Sequence, residues 1–505
     1  MRSVFAAADR IRWVLLAMVL GTFLVIIVPR AQAKAFWHDE IYTILEADLS
    51  PSTLYRADLD ALDFAPPLAP MVTKIPIAMF GLGRLTTRSP EIAAFLVSVI
   101  FIFVIVRRRS NTVVAVVASL LPFFTPLVDY AFEARGYALT CGLYAVALYA
   151  WLEAAAGRRR QLHLAVMAAA LCLGVWAHYF AVLAFLPIGV GEGVRQWRAG
   201  RLDKGPWIAM LAAGAGILGL VPIMIAASRQ RGHFWTQDVM TVGQTYGWIA
   251  GRLTSDRSVL AAEIAVALIV FEGARRLTGR SNTRRLVPHE AAAGLVALML
   301  PVFGVLLGTL TGVATMRYVL LSGVGIAIAL PLAIWRLTPD NGVAEVLMCA
   351  ALLTSVVKST GRSLQHSQER TEAQIARPLL EQSLRGSDPL VMTGAGRYLE
   401  RWFATPPEWR ARVIYLANPA AELQSDGNDT FDRGYLALAR WTPVAVVDEE
   451  IFLATHTQFS VYSMAPDWLM PTLDARGATI ETVGRESGAT LFAVRMPVRA
   501  RDPSR

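Results

Sequence analysis

The chain has 505 residues, 55% of them hydrophobic and only 17% charged, too apolar for an ordinary soluble enzyme and long enough for two folded units. Its formal net charge is +9, yet residues 358–505 hold 17 Lys and Arg against 18 Asp and Glu, leaving 31 against 21 in the first 357. The basic excess therefore belongs to the apolar part, in short clusters between apolar blocks, which argues against a nucleic-acid partner and marks cytoplasmic loops instead.

From Trp13 to Val357 the sequence is a series of apolar blocks of roughly 16–22 residues, each about long enough to cross a hydrocarbon core as a helix. Helices are required there, because lipid offers no partner to an unpaired backbone group. The first block, Trp13–Val28, follows Arg2, Arg10 and Arg12 and precedes Ala31-Gln32-Ala33, the outline of a secretory signal. The run exceeds a usual signal core and many spans follow, so it reads as a retained span leading from the cytoplasm to the outside. Residues 30–89 then form a long outward loop. Within it, Pro66-Pro67-Leu68-Ala69-Pro70 opens a short apolar stretch to Phe80, a helix expected to lie at the membrane surface. As a span it would push Arg107-Arg108-Arg109 outside, against the charge rule. Further spans are expected near 90–106, 112–128, 136–156, 162–177, 179–194, 206–226, 259–273, 291–311, 318–335 and 342–357, about eleven with the first. This polytopic α-helical arrangement puts the N-terminus and every basic cluster in the cytoplasm and the C-terminus outside, with a second long outward loop at 227–258.

Cys141, Cys172 and Cys349 all lie in apolar blocks, so neither a disulfide framework nor a thiolate metal site is indicated. No repeat suggests a transporter built from two related halves. The division is expected at 1–357 and 358–505. The tail alternates short apolar runs (Pro389–Thr393, Val413–Ala417, Val444–Val447, Leu491–Val494) with helical stretches such as Pro378–Leu384, the pattern of a small soluble α/β domain.

His38-Asp39-Glu40 follows the first span directly. Two acidic side chains at that depth are functional candidates, with His38 beside them a candidate to bind the substrate, set against the plain alternative of solvated carboxylates at a loop start. Behind them come Asp63-Phe64-Ala65-Pro66-Pro67-Leu68, Lys74, Arg88-Ser89-Pro90-Glu91 and Asp129-Tyr130-Ala131-Phe132-Glu133-Ala134-Arg135-Gly136-Tyr137. This order resembles the glycosyltransferase C superfold, particularly the bacterial relatives of protein O-mannosyltransferases and lipid A aminoarabinose transferases. The resemblance covers roughly residues 10–340 and is strongest over 36–106 and 129–150. Where that family usually has His before the paired prolines, this chain has Ala65. No motif carries over to the tail.

The resemblance implies transfer of a sugar from a polyprenyl-phosphate donor to a glycan, lipid or protein acceptor on the outer face of the membrane. Asp39 would be the base, with inversion at the sugar carbon, and Glu40 would support the loop or the acceptor. A departing phosphate needs fixed cations, and Arg offers a planar fork for two oxygens. Lys74, Arg135 and Arg317 are the candidates, with snorkelling towards lipid headgroups as the alternative for each. Glu133 and Tyr137 flank Arg135 in the recognisable pattern, and Arg317-Tyr318 matches an Arg-Tyr pair found at this point in the family. His178-Tyr179 lies in an outward turn, where His178 could touch the sugar or a metal, for which one His is a poor site, or serve as a hydrogen-bonded structural histidine. The loop Ser228–Arg257, with His233, Phe234, Trp235 and Asp238, is long enough for a lid, although Trp235 equally suits an interfacial anchor.

Asp39, Glu40 and Glu133 would offer oxygen ligands to a divalent cation if they converged; no metal is assigned. The rival readings are a transporter or flippase for a lipid-linked substrate, and a non-catalytic scaffold for envelope polymer assembly. Transport predicts charged or helix-breaking residues at mid-span, whereas these candidates gather towards one face.

Overall fold

A computed structural model describes residues 7–229, 240–254, 287–312, 315–337, 377–486 and 488–497. They fall into two compact units. The first takes the chain up to Lys34, then Ala65–Val221 and the described residues from 240 to 337; the second takes Ala35–Phe64, 222–229 and the described residues from 377 onward.

The first unit is helical and apolar. Arg12–Ala33, Arg84–Arg109, Tyr137–Ala155, Arg160–Ala177 and Lys204–Arg229 are each long and apolar enough to cross a membrane. Pro288–Leu298 and Leu300–Thr311, bent by 51°, add a sixth span if they are taken as one. The bend has a local cause: Pro301 has no N–H for the carbonyl one turn back, so the ladder breaks beside Met299. Pro122 ends Thr112–Leu120 in the same way, and the chain tightens into a 3-10 turn over Leu121–Phe124. The stretch expected to span at 179–194 begins as a 3-10 helix, Tyr179–Ala184, and continues as Phe185–Ala199. Leu68–Phe80 is a separate 13-residue helix. The expected spans 259–273 and 342–357, and His233, Phe234, Trp235 and Asp238, lie outside the described residues.

Small residues let these helices approach closely. A Cβ at Gly142 would stand 2.6 Å from the carbonyl oxygen of Ala94, and one at Gly191 would strike the Trp151 ring at 2.5 Å, the small-residue packing that dispersion favours between membrane helices. The arginine-rich helix ends are neutralised by carboxylates. Arg108 pairs with Glu153 and Arg109 with Glu290, while wholly buried Glu192 accepts from Arg195, Gln196 and Trp151 Nε1.

The second unit holds a six-stranded sheet. Its strands are β1 (Leu390–Thr393), β2 (Val413–Ala417), β3 (Val446–Asp448), β4 (Gln458–Ser463), β5 (Thr479–Glu486) and β6 (Ala489–Arg495), in the order β3-β2-β1-β4-β6-β5. β3, β2, β1 and β4 are mutually parallel, and β6 and β5 close the sheet antiparallel. β1 and β2 are almost wholly buried, as expected for parallel strands covered on both faces. The segment after the first span joins this unit as two helices, His38–Asp48 and Pro51–Leu59. Ile41, Tyr42, Leu54, Ala57 and Leu62 share one buried apolar cluster with Tyr398, Leu399, Trp402, Tyr435 and Leu438. The expectation that 30–89 is a single outward loop therefore gives way to a divided segment: 35–64 folds with the tail, and the chain from Ala65 on folds with the apolar helices.

Candidate active site

In the second unit, Trp37 is the N-cap of His38–Asp48, which puts Asp39 and Glu40 in the helix's first turn. Carboxylates there face the unpaired amides and the positive end of the helix dipole. Glu40 is wholly buried and accepts from the Trp37 amide at 3.5 Å, so it closes the helix start rather than meeting solvent. Asp39 keeps 18% side-chain exposure, and its Oδ1 lies 3.3 Å from His38 Nδ1.

In the first unit, Tyr137, His178, Arg317 and Tyr318 come together. The Arg317 guanidinium lies 5.8 Å from the centre of the Tyr137 ring, within reach of a cation–π attraction. The His178 ring is 5.1 Å from Tyr137 and 5.0 Å from Tyr318, and Phe180 closes on Tyr318 at 4.5 Å. These side chains line a small pocket with Thr140 and Leu321. His178 follows Ala177, the last residue of its helix, and its Nδ1 accepts from the Phe180 amide at 3.3 Å. Burial, with Arg317 and Arg135 beside it, pushes the imidazole down to about 3, so it is neutral at physiological pH. Arg317 thus brings a permanent charge beside an uncharged ring.

Glu133 is engaged by Lys34, whose ammonium also lies 5.7 Å from the Phe132 ring. The span carrying Arg88 and Glu91 organises this end of the first unit. Arg84 donates to the carbonyls of Gln32 and Ala33 and fully buried Arg88 to those of Ala31 and Lys34, capping the first helix. Buried Glu91 accepts from the amides of Gly136 and Leu139, capping Tyr137–Ala155 at its start. One helix face thereby holds Lys34 and the Arg135–Tyr137 corner in place. Lys74 sits partly exposed on Leu68–Phe80.

Lys34, Arg84 and Glu91 were not singled out from sequence as site residues. Lys34 had a signal: a lysine just beyond a span that the charge pattern expects to lead outward runs against the positive-inside preference. Among the described residues no three His, Cys, Asp or Glu side chains converge as a metal site.

The family described as dolichyl-phosphate-mannose-protein mannosyltransferase matches residues 65–225, the stretch that holds Lys74, Glu133, Arg135, Tyr137 and His178. No curated protein matches the chain by sequence. Among solved structures, ArnT from Cupriavidus metallidurans in the apo state is similar along almost the whole of both chains. It has a TM-score of 0.62 at 13% identity, covering 96% of this chain and 98% of that one. The same protein bound to undecaprenyl phosphate gives a TM-score of 0.59 at 13% identity and the same coverage. The chain has the glycosyltransferase C fold, as its motif order implied.

Proposed function

We propose that the chain is a membrane glycosyltransferase that moves a sugar from a polyprenyl-phosphate donor to a glycan, lipid or protein acceptor on the outer face of a bacterial cytoplasmic membrane. The observation that carries this reading is Arg317 set against Tyr137 and a neutral His178, in a chain whose fold is that of a protein solved with undecaprenyl phosphate. A guanidinium fork fixed against an aromatic face suits the two free oxygens of a lipid phosphate. Arg135 adds charge to the same end of the unit, and Lys74 is the remaining candidate for the phosphate.

Asp39 is the base in this reading. It takes the proton of the acceptor hydroxyl as that oxygen attacks the anomeric carbon from the face opposite the phosphate. The bond from that carbon to the phosphate oxygen breaks and the configuration inverts. Phosphate leaves as an anion and needs no general acid, unlike the leaving oxygen of a glycoside. Glu40, buried at the helix start, supports the loop. About eleven spans, a cytoplasmic N-terminus and an outward C-terminus complete the reading, with residues 1–357 as the transferase part and 358–505 as an accessory domain.

The test uses membranes supplied with a labelled polyprenyl-phosphate sugar. Asp39→Asn is expected to lower transfer on the order of 10²–10⁴-fold, and transfer at the normal rate would remove Asp39 from the role. Arg317→Lys keeps a charge without the fork and is expected to raise the donor KM by about tenfold. Absence of transfer by the unaltered chain would instead favour a flippase or scaffold.

A further inference from the structure

His38 stands between the proposed base and the α/β domain. Its ring is enclosed by Tyr42 at 5.1 Å, Phe431 at 5.5 Å and Tyr435 at 5.8 Å, with Phe431 meeting it edge-on at 89°. Phe431 and Tyr435 belong to the helix Thr430–Trp441 of the tail. Tyr435 is itself fully buried and donates its hydroxyl proton to the carbonyl of Ala395. From the helix Ala395–Ala404, Glu400 accepts from the backbone amide of His38 at 3.2 Å. Gly434 gives Tyr42 its room: a Cβ there would meet the Tyr42 hydroxyl at 3.3 Å. Main chain and ring of His38 are both held by residues of the C-terminal sequence.

Inside this box the ring's two nitrogens are unlike. Nε2 is buried and has no hydrogen-bond partner among the described residues. Nδ1 faces Asp39 Oδ1 at 3.3 Å. A proton on Nε2 would be a buried, unpaired donor and would aim the Nδ1 lone pair at a carboxylate oxygen; a proton on Nδ1 has an acceptor.

We propose that His38 is a positioning residue for Asp39, locked by Phe431, Tyr435 and Glu400 of the α/β domain so that its Nδ1–H holds a carboxylate oxygen of the base in one orientation. The proposal rests on the reading of Asp39 as the base. A carboxylate pinned by one N–H no longer rotates freely, which orients the base without touching the substrate. The α/β domain then acts on the rate of the chemical step, and His38, enclosed by aromatic rings, serves the base rather than the sugar.

The full chain in lipid nanodiscs tests this in two ways. With ¹⁵N-labelled histidine, the Nδ1–H of His38 is expected to give a strongly downfield proton resonance, lost in His38→Phe and lost again in Asp39→Ala, which has no acceptor there. Its survival in Asp39→Ala would overturn the pairing, whatever the activity. In the transfer assay, His38→Phe keeps an aromatic ring in the box and removes only the donor. It is expected to lower kcat roughly ten- to a hundredfold, the scale of a misplaced catalytic group, with the donor KM within about twofold. His38→Asn, whose amide nitrogen can stand where Nδ1 stood, is expected to recover part of that loss, which a merely unfolded variant would not. Phe431→Ala, which removes one wall of the box around His38, is expected to reproduce the kcat loss. Normal kcat in His38→Phe, beside an inactive Asp39→Asn, would sink this proposal and leave the function standing. Normal kcat in Asp39→Asn would sink both.

Discussion

Gly136 sits between Arg135 and Tyr137 with φ at +73°, a backbone state costly for any side chain. A Cβ there would also lie 2.7 Å from the carbonyl oxygen of Ala177 and 3.2 Å from the Ala69 Cβ, so the residue lets three segments meet. Gly136→Ala is expected to cost about 1–2 kcal/mol in backbone conformation alone and more through the clash. A lower melting temperature in detergent would show it, and an unchanged one would refute it. Arg135, Gly136 and Tyr137 were legible as a motif because their order in the chain is their order in space. The pairing of Lys34 with Glu133 was not, because the two lie 99 residues apart and only the packing of the first helix against Arg84–Arg109 brings them together.

The sheet shows what kind of element the sequence reveals. β1, β2, β3 and β6 correspond to apolar runs, whereas β4 and β5 were missed. β4 places Phe459 and Val461 on alternate positions among serines, and β5, Thr-Ile-Glu-Thr-Val-Gly-Arg-Glu, is a mostly exposed edge strand. Edge strands are kept polar against pairing with other chains, which erases their apolar signature. At the β2 end of this sheet, Glu422 accepts from the amides of Phe431 and Asp432, and Asp432 accepts from Tyr415 and Asn418. Burial, then the charge of Asp432, raises Glu422 from 4.5 to about 8, and burial raises Asp432 from 3.8 to about 6. The folded state therefore binds protons that the unfolded chain has released. That contribution to stability is full below the unfolded values and is lost as pH rises through the folded ones. The α/β domain is expected to melt higher at pH 5 than at pH 8. Glu422→Gln should flatten that slope, and a domain whose melting temperature rises with pH across this window would contradict it.

At the scale of the whole molecule, the apolar blocks made a helical membrane protein legible, and their charges gave it a proposed orientation. What stayed hidden was the allegiance of residues 35–64. Their apolar positions, such as Ile41 and Leu54, have helical spacing, but nothing local says which surface they cover. The orientation is open to a direct check. Val483 lies on β5 and is 54% exposed. Val483→Cys, read beside the unaltered chain, whose Cys141 is buried and Cys172 partly buried, should react with a membrane-impermeant maleimide added to intact cells. Reaction only after the cells are opened would place the domain inside and reverse the topology.

The bond from His38 to Glu400 joins residues 362 apart in sequence. At synthesis rates of about 5–20 residues per second, the helix bearing Asp39 would wait roughly 20–70 s for its partners to be made. Throughout that interval the faces of Ile41 and Leu54 have no tail to cover them, and on the proposed role of Asp39 the half-made protein would have its first spans in the membrane but no settled base. A truncated chain should then be a target for degradation rather than a weak enzyme. On that same proposed role, completion of the polypeptide would itself be the event that switches transfer on.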